Sequence, residues 1–345
     1  MSLHLPDFRP AAKLVVPETH VVRPRFPVVD AHNHLGQFGG NYDRRPPQEL
    51  FARMEEAGVT HYVDLDGGWG EDVLRHRLDT FKAYAPDRYC VFAGVPWAAW
   101  REHGDAFGEY AAARLREQAR WGAQGLKIWK NFGLHERDQH GELVAVDDLR
   151  LAPLWETAGE LGLPVVIHVA DPVAFFDPVD ATNERWEELH AHPDWMFTSP
   201  PFPPFMAIME QFARLVERHP RTVFIGAHVG CYAENLGWVA ALLDRCPNFF
   251  VDISARIGEL GRQPYSARRF FLKYADRILF GIDAGPDVAA YRTYYRFLET
   301  DDEYFNYSPG SETPLQGRWQ IYGLHLPDDV LRKIYAANAL RLMRF

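Results

Sequence analysis

The sequence predicts a (β/α)8 barrel, and three observations carry that prediction. Eight short β-branched or aromatic runs alternate with helix-period segments along the 345 residues. Several runs are apolar nearly throughout, as in Pro164-Val165-Val166-Ile167 and Thr222-Val223-Phe224-Ile225, which suits parallel strands buried on both faces. Asp283 in the eighth run lies 251 residues after His32 in the first, about 36 per unit, near the usual size of a βαβ step. A doubly wound open sheet is the alternative, but no Gly-rich phosphate loop follows any run.

The elements follow in order. A strand over 27–34 leads to a helix over 47–58, and Gly58 supplies the left-handed residue a helix C-terminus wants. A strand over 61–67 leads to a helix over 72–85. A strand over 89–97 precedes a helix over 107–122 that stops at Gly122. A strand over 125–130 precedes a helix over 148–162, with Asp148 as N-cap and Gly162 as its stop. The fifth strand, 164–170, is separated from its helix, 205–219, by a long loop. Strands over 222–230 and 249–255 precede helices over 235–246 and 266–276, the latter capped by Ser266. The eighth strand, 277–284, precedes a helix over 287–299, and a helix over 328–344 closes the chain. The whole of 1–345 is read as one domain.

Two stretches break the repeat. Residues 171–204 contain Phe175-Phe176, Trp186, Trp195 and a proline cluster. Residues 300–327 contain Tyr304, Tyr307 and Trp319. Loops this long are usually functional or disordered, and their aromatic content argues against disorder. The first leaves the C-terminal end of a strand, the catalytic face of a barrel, so it reads as a lid or substrate wall.

Composition narrows the function. Hydrophobic residues make up 47% and charged residues 24%, as in an ordinary globular protein. The net charge of −10 argues against nucleic-acid binding. Three cysteines are too few for a disulfide framework. No apolar run reaches the ~18 residues of a membrane span. Met1–Pro10 lacks the apolar core of a leader, so a cytoplasmic location is expected. The chain holds 15 His, which directs attention to metal and acid–base chemistry.

Four strand ends carry a ligand-type residue. The first ends in His32-Asn33-His34, and alternate residues of a strand share a face. The fifth ends in His168, the sixth in His228 and the eighth in Asp283. Four imidazoles and a carboxylate converging on one barrel mouth define a divalent-metal site of nitrogen and oxygen character. Zn is the first expectation, with Mn, Fe, Co and Ni also suited, as one or two ions. A second pair, His190-Ala191-His192, has no strand before it and reads as a loop pair. On the fourth strand, Lys127 and Lys130 are expected on opposite faces. Lys127 is open to two readings, a cation near the substrate or a carbamylated bridge between two metals. Lys130 is either a surface lysine or, with Trp129, a substrate contact. Arg256, after the seventh strand, either holds a substrate carboxylate or pairs with Glu259. Asp30 and Asp64 read as hydrogen-bonded supports, and Cys231 as incidental.

The placement of His32-x-His34, Lys127, His168, His228 and Asp283 resembles the amidohydrolase superfamily of metal-dependent hydrolases, over nearly the whole chain. Gly125-Leu126-Lys127-Ile128 is similar to the motif of urease-type members, in which the Lys is carbamylated. Val165-Val166-Ile167-His168, Ala227-His228-Val229-Gly230 and Asn338-Ala339 resemble instead the amidohydrolase-related branch that includes aminocarboxymuconate semialdehyde decarboxylase, whose members commonly bind one metal. Gly281-Ile282-Asp283 departs from the common Gly-Thr-Asp only at a position that is not a ligand. The resemblance implies that His32, His34 and His168 hold the metal. Asp283 would complete the site and serve as the catalytic acid–base. His228 would ligate a second metal or hydrogen-bond the developing oxyanion. It implies hydrolysis of a C–O or C–N bond in a small organic acid, lactone or amide. Nonoxidative decarboxylation of an aromatic or unsaturated acid is the runner-up, and a noncatalytic binding barrel the third reading. The aromatic loops, Trp186 and Tyr304 among them, suggest a ring-bearing or sugar-like small-molecule substrate, and make a homodimer plausible.

Overall fold

The computed structural model describes residues 11–345, so the leader reading of Met1–Pro10 lies outside the described residues. Eight parallel strands are present: β1 Val28–Asn33, β2 Val59–Asp64, β3 Tyr89–Val91, β4 Leu126–Ile128, β5 Val165–Ile167, β6 Phe224–Gly226, β7 Phe249–Asp252 and β8 Ile278–Leu279. They pair in sequence order, β1 to β3 in one ladder and β4 to β8 in another. A single bridge, Ala93 to Leu126, marks one seam between the two sheets, and backbone hydrogen bonds cross the other. The Ala93 amide donates to Gly125 O and the Lys127 amide to Ala93 O, both at 2.8 Å. On the other side, the Ala31 amide donates to Phe280 O at 2.9 Å and the Asp283 amide to His32 O at 3.0 Å. The arrangement is the expected α/β barrel. Among the described residues no helix is long and apolar enough to cross a membrane.

Alternation sorts side chains between two cores. Val29, Ala31, Val63, Leu65, Cys90, Phe92, Val166, Ile225, Phe250 and Leu279 face one another inside, with Ala339 and Met343 of the C-terminal segment packed against them. Residues one step out of phase, such as Val28, Tyr62, Leu126 and Ile167, pack under the helices. On β1 the phase would turn Asn33 inward after Val29 and Ala31. A register irregularity between Asp30 and Asn33 resets it, and His32 and His34 both reach the mouth. Lys127 falls between two outward residues and so points inside.

The helices follow the predicted plan, with shifted boundaries. Gly58, Gly122 and Gly162 all cap helices with positive φ. Asp148 caps as expected, accepting from the Arg150 amide at 2.9 Å, although a 3-10 turn precedes the helix Ala152–Leu161. Ser266 is not an N-cap. That helix runs Pro264–Lys273, because Pro264 has the fixed φ that suits a first turn. The terminal helix is broken into Asp328–Arg332, a wide turn, and Asn338–Leu342.

The helix Phe205–Arg218 shows how burial is organised. Phe205, Ile208, Met209, Phe212, Leu215 and Val216 recur on one face and are buried. Phe212 is fully enclosed and meets Phe249 of β7 edge-on, ring centroids 5.6 Å apart. Phe212→Ala is expected to cost about 3–5 kcal/mol of stability, read as a lower urea midpoint at unchanged slope.

The two insertions meet at the barrel mouth. The first contains a short helix, Trp186–Ala191. Arg318 of the second forms an ion pair with Glu187 of the first at 2.5 Å, and Arg262 pairs with Glu184 at 2.7 Å. His190 is not on a loop as expected but in that short helix, with His192 at its C-cap, because the segment's helical turn runs on past Leu189. The two stack on Trp186 and Trp195 at 4.8 and 4.1 Å.

Candidate active site

A cavity of about 340 Å³ opens at the C-terminal ends of the strands. His32, His34, Lys127, Trp129, Lys130, His168, His228, Arg256 and Asp283 all line it. The strands are shorter than the sequence suggested, so most of these residues stand on turns just beyond them. His168 lies one residue past β5, its amide bonded to Ile128 O at 3.0 Å. His228 and Asp283 have φ of 58° and 56°, in the left-handed region. Val229 and Ala255 share that strained conformation, at 59° and 52°. Such strain persists where surrounding structure fixes it, commonly at functional sites. Gly281 is required by close approach, since a Cβ there would sit 2.8 Å from the Cβ of His32.

His32, His34 and Asp283 offer ligand atoms all within 4.8 Å of one another. Asp283 Oδ1 is 3.1 Å from His34 Nε2 and 3.9 Å from His32 Nε2. Asp283 Oδ2 is 3.7 Å from His228 Nε2. Each of these three imidazoles has its other nitrogen engaged by an oxygen. His32 Nδ1 donates to Asp252 Oδ2 at 2.8 Å, His34 Nδ1 to Asp66 Oδ1 at 2.9 Å, and His228 Nδ1 to Ser254 O at 2.8 Å. That fixes the ring orientations and leaves Nε2 of each directed toward Asp283, the nitrogen a metal-binding imidazole would offer. His168 stands outside the tight triad, its ring 4.4 Å from that of His228, and its buried Nε2 makes no hydrogen bond. Two imidazole nitrogens and a carboxylate this close suit a divalent transition metal, and His32, His34 and Asp283 are able to hold one.

The electrostatics follow from burial and charge. Burial opposes ionisation of Asp283, yet His32, His34 and His228 hold it well below the usual carboxylate range. Asp252 is likewise held well below it, because His32 outweighs burial. Burial would lower His34, but Asp283 and Asp66 on its two nitrogens raise it to about 9. Burial pushes His168 down to about 4, and His228 well below its ordinary value. Burial brings Lys127 down to about 8. Its Nζ donates to His32 Nε2 at 3.4 Å and lies over the Trp129 ring at 4.9 Å.

Several expectations change here. Lys127 and Lys130 do not part to opposite faces. β4 ends at Ile128, so Lys130 is on a turn and both line the cavity. Lys130 is no surface lysine, since its Nζ bonds Asp171 Oδ2 at 2.7 Å. Arg256 does not pair with Glu259, whose partner is Arg185 of the first insertion. Arg256 is buried, donates to Ala255 O at 2.8 Å, and has no ion pair among the described residues. Trp186 and Tyr304 are absent from the cavity lining, whereas Phe175 and Trp195 of the first insertion and Gln316 of the second are in it. Asp30 and Asp64 are supports as expected. Asp30 accepts from the Tyr291 hydroxyl and the Asn33 amide, and Asp64 from the Tyr89 hydroxyl and Arg77. Burial pushes the Cys231 thiol up to about 11, consistent with an inert residue.

The sequence reading missed Asp66, Asp252, Ser254, Asp171 and Arg185. Asp252 ends an apolar strand, the same signal that found Asp283. Arg185 had none, because the insertion brings it in from a distance.

Comparison with known proteins identifies the family. An amidohydrolase family model matches residues 29–345, and the chain belongs to that family of enzymes. No curated protein matches it. The fold is similar to that of 2,6-dihydroxybenzoate decarboxylase from Rhizobium, at 16% identity and TM-score 0.55, covering 92% of this chain and 97% of that one. It is similar to a dihydroxybenzoic acid decarboxylase from Polaromonas sp. with bound manganese and 2-nitroresorcinol, at 17% identity, TM-score 0.54 and coverages of 92% and 96%. It is also similar to 4-oxalomesaconate hydratase from Rhodopseudomonas palustris, at 14% identity, TM-score 0.51 and coverages of 91% and 95%. At these identities the likeness is one of fold.

Proposed function

We propose that this amidohydrolase is a metal-dependent lyase that removes carbon dioxide from an aromatic or unsaturated carboxylic acid. The carrying observation is a cavity that joins a buried Arg256, which makes no ion pair among the described residues, to flat aromatic walls. Trp69 stacks on Trp129 at 3.9 Å, Trp129 on His34 at 5.0 Å, and Trp195 on Phe175 at 6.1 Å. A planar acid fits such walls, and a buried guanidinium without an ion pair favours an anionic guest. The two decarboxylases of similar fold, one with manganese, lend further support.

His32, His34, His168 and Asp283 are the residues that would hold one divalent ion. When bound, the ion would act as a Lewis acid on a substrate oxygen. Lys127 beside His32 favours a single ion, because an ammonium there repels a second cation. Arg256 would bind the substrate anion, and Trp129 and Trp195 would hold its ring. The bond between ring carbon and carboxyl carbon breaks, its electron pair stays on the ring carbon, and that carbon takes up a proton. Asp283, an ionised carboxylate here, is placed to take that proton from water and deliver it, with His228 Nε2 next in line at 3.7 Å.

Hydrolysis is the second reading, favoured by the same Asp283, which is equally placed to take a proton from water. A panel of hydroxybenzoates, unsaturated acids, lactones and amides, assayed with Mn or Zn in ¹⁸O-labelled water, separates the two. Carbon dioxide release with no label in the organic product supports the lyase. Label in the product without carbon dioxide replaces it by hydrolysis.

A further inference from the structure

The insertion after β5 begins on a residue the proposed chemistry does not use. Asp171 is buried, with 7% of its side chain exposed. Its Oδ2 accepts from Lys130 Nζ at 2.7 Å. Its Oδ1 stands 3.4 Å from the unbonded Nε2 of His168. The other three imidazoles of the site are gripped at Nδ1 by an oxygen and offer Nε2. His168 is the reverse case. Its Nε2 faces a carboxylate, so Nδ1 is the nitrogen left to offer a lone pair. Lys130 is itself fixed by the insertion, its Nζ over the rings of Trp195 at 5.2 Å and Phe197 at 5.7 Å.

We infer that Asp171 is a positioning residue that orients His168 toward a bound divalent ion, with Lys130 and the aromatic residues of the insertion holding Asp171 in place. This rests on the metal-site proposal above. The physical reason is general. A carboxylate on the far nitrogen of a metal-binding imidazole fixes its tautomer and ring orientation and raises its basicity. Asp171 stands toward His168 as Asp252 does toward His32 and Asp66 toward His34, at 3.4 Å rather than at the 2.8–2.9 Å of those two hydrogen bonds. It differs in its origin, because Asp171 opens the insertion that walls the cavity. The relay therefore ties the insertion's packing on Lys130 to the geometry of one ligand.

Mn(II) binding to the metal-free full chain, measured by titration calorimetry, tests this in a double-mutant cycle of Asp171→Asn and His168→Ala. Asp171→Asn alone is expected to weaken Mn binding by about 10–100-fold. Added to His168→Ala, it is expected to change affinity by less than about twofold. Equal losses in both backgrounds would make Asp171 a merely structural residue and overturn the inference. Wild-type affinity in Asp171→Asn would overturn it too. Should Asp171→Asn fail to fold, Lys130→Met replaces it in the cycle under the same criteria. A wild type that takes up no Mn sinks the metal-site proposal itself and the relay with it. That result is distinct from a wild type that binds while the cycle shows no coupling.

Discussion

Asp283→Asn is expected to lower turnover on the acid identified by the substrate panel by about 10²–10⁴-fold, the usual contribution of a positioned acid–base group. Asn is the informative replacement for two reasons. It tolerates the left-handed backbone that Asp283 adopts at φ 56°, where most residues are strained. It also keeps the size of the side chain while removing the charge. The far-UV spectrum should therefore match that of the wild type. Loss of turnover has two sources, a weaker site for the ion and a missing proton carrier. Assays at saturating Mn separate them, since only the second loss survives excess metal. A near-wild-type rate at saturating Mn would remove Asp283 from proton transfer and leave it a ligand alone.

What the sequence made legible was placement along the barrel. The five His and Asp residues that the sequence placed at the mouth all line one cavity, whereas Asp64 and Asp252, which also end strands, stand behind it as supports. Local backbone chemistry was legible too, since Gly58, Gly122 and Gly162 take the positive φ expected of them. Three things were not. Strand length was overread, because ladder pairing stops where the ligands turn inward, and β8 retains only Ile278–Leu279. The supporting carboxylates were half-found. An Asp among apolar residues reads the same whether it braces backbone and hydroxyls, as Asp30 and Asp64 do, or an imidazole, as Asp252 and Asp66 do. Last, pairing by tertiary closure leaves no local signal. Glu259 follows Arg256 by three residues, which suggests a helical ion pair, yet Arg185 from the first insertion takes it. That exchange leaves Arg256 in the cavity wall without an ion pair among the described residues.

Metal uptake is expected to rise steeply with pH, by about tenfold per unit between pH 6 and 8 and levelling near pH 9. The sign follows from His34. In the metal-free chain Asp66 and Asp283 face its two nitrogens and raise it to about 9, so it is a cation at neutral pH. An ion needs the neutral imidazole, so binding must expel that proton, and lower pH opposes it. His168, at about 4, and His228, still further depressed, are already neutral in this window and add no slope. Asp283 and Asp252, held well below the usual carboxylate range, are already ionised and add none either. Calorimetry in buffers of different ionisation enthalpy counts the protons directly, and close to one per ion from His34 is expected at pH 7. Lys127→Met is the control, because the ammonium beside His32 is the other protonated group there and an arriving ion repels it. Asp66→Asn should flatten the profile below pH 8, since losing one of its two carboxylates moves His34 back toward an ordinary imidazole. A pH-independent affinity in the wild type would mean that His34 is not a ligand.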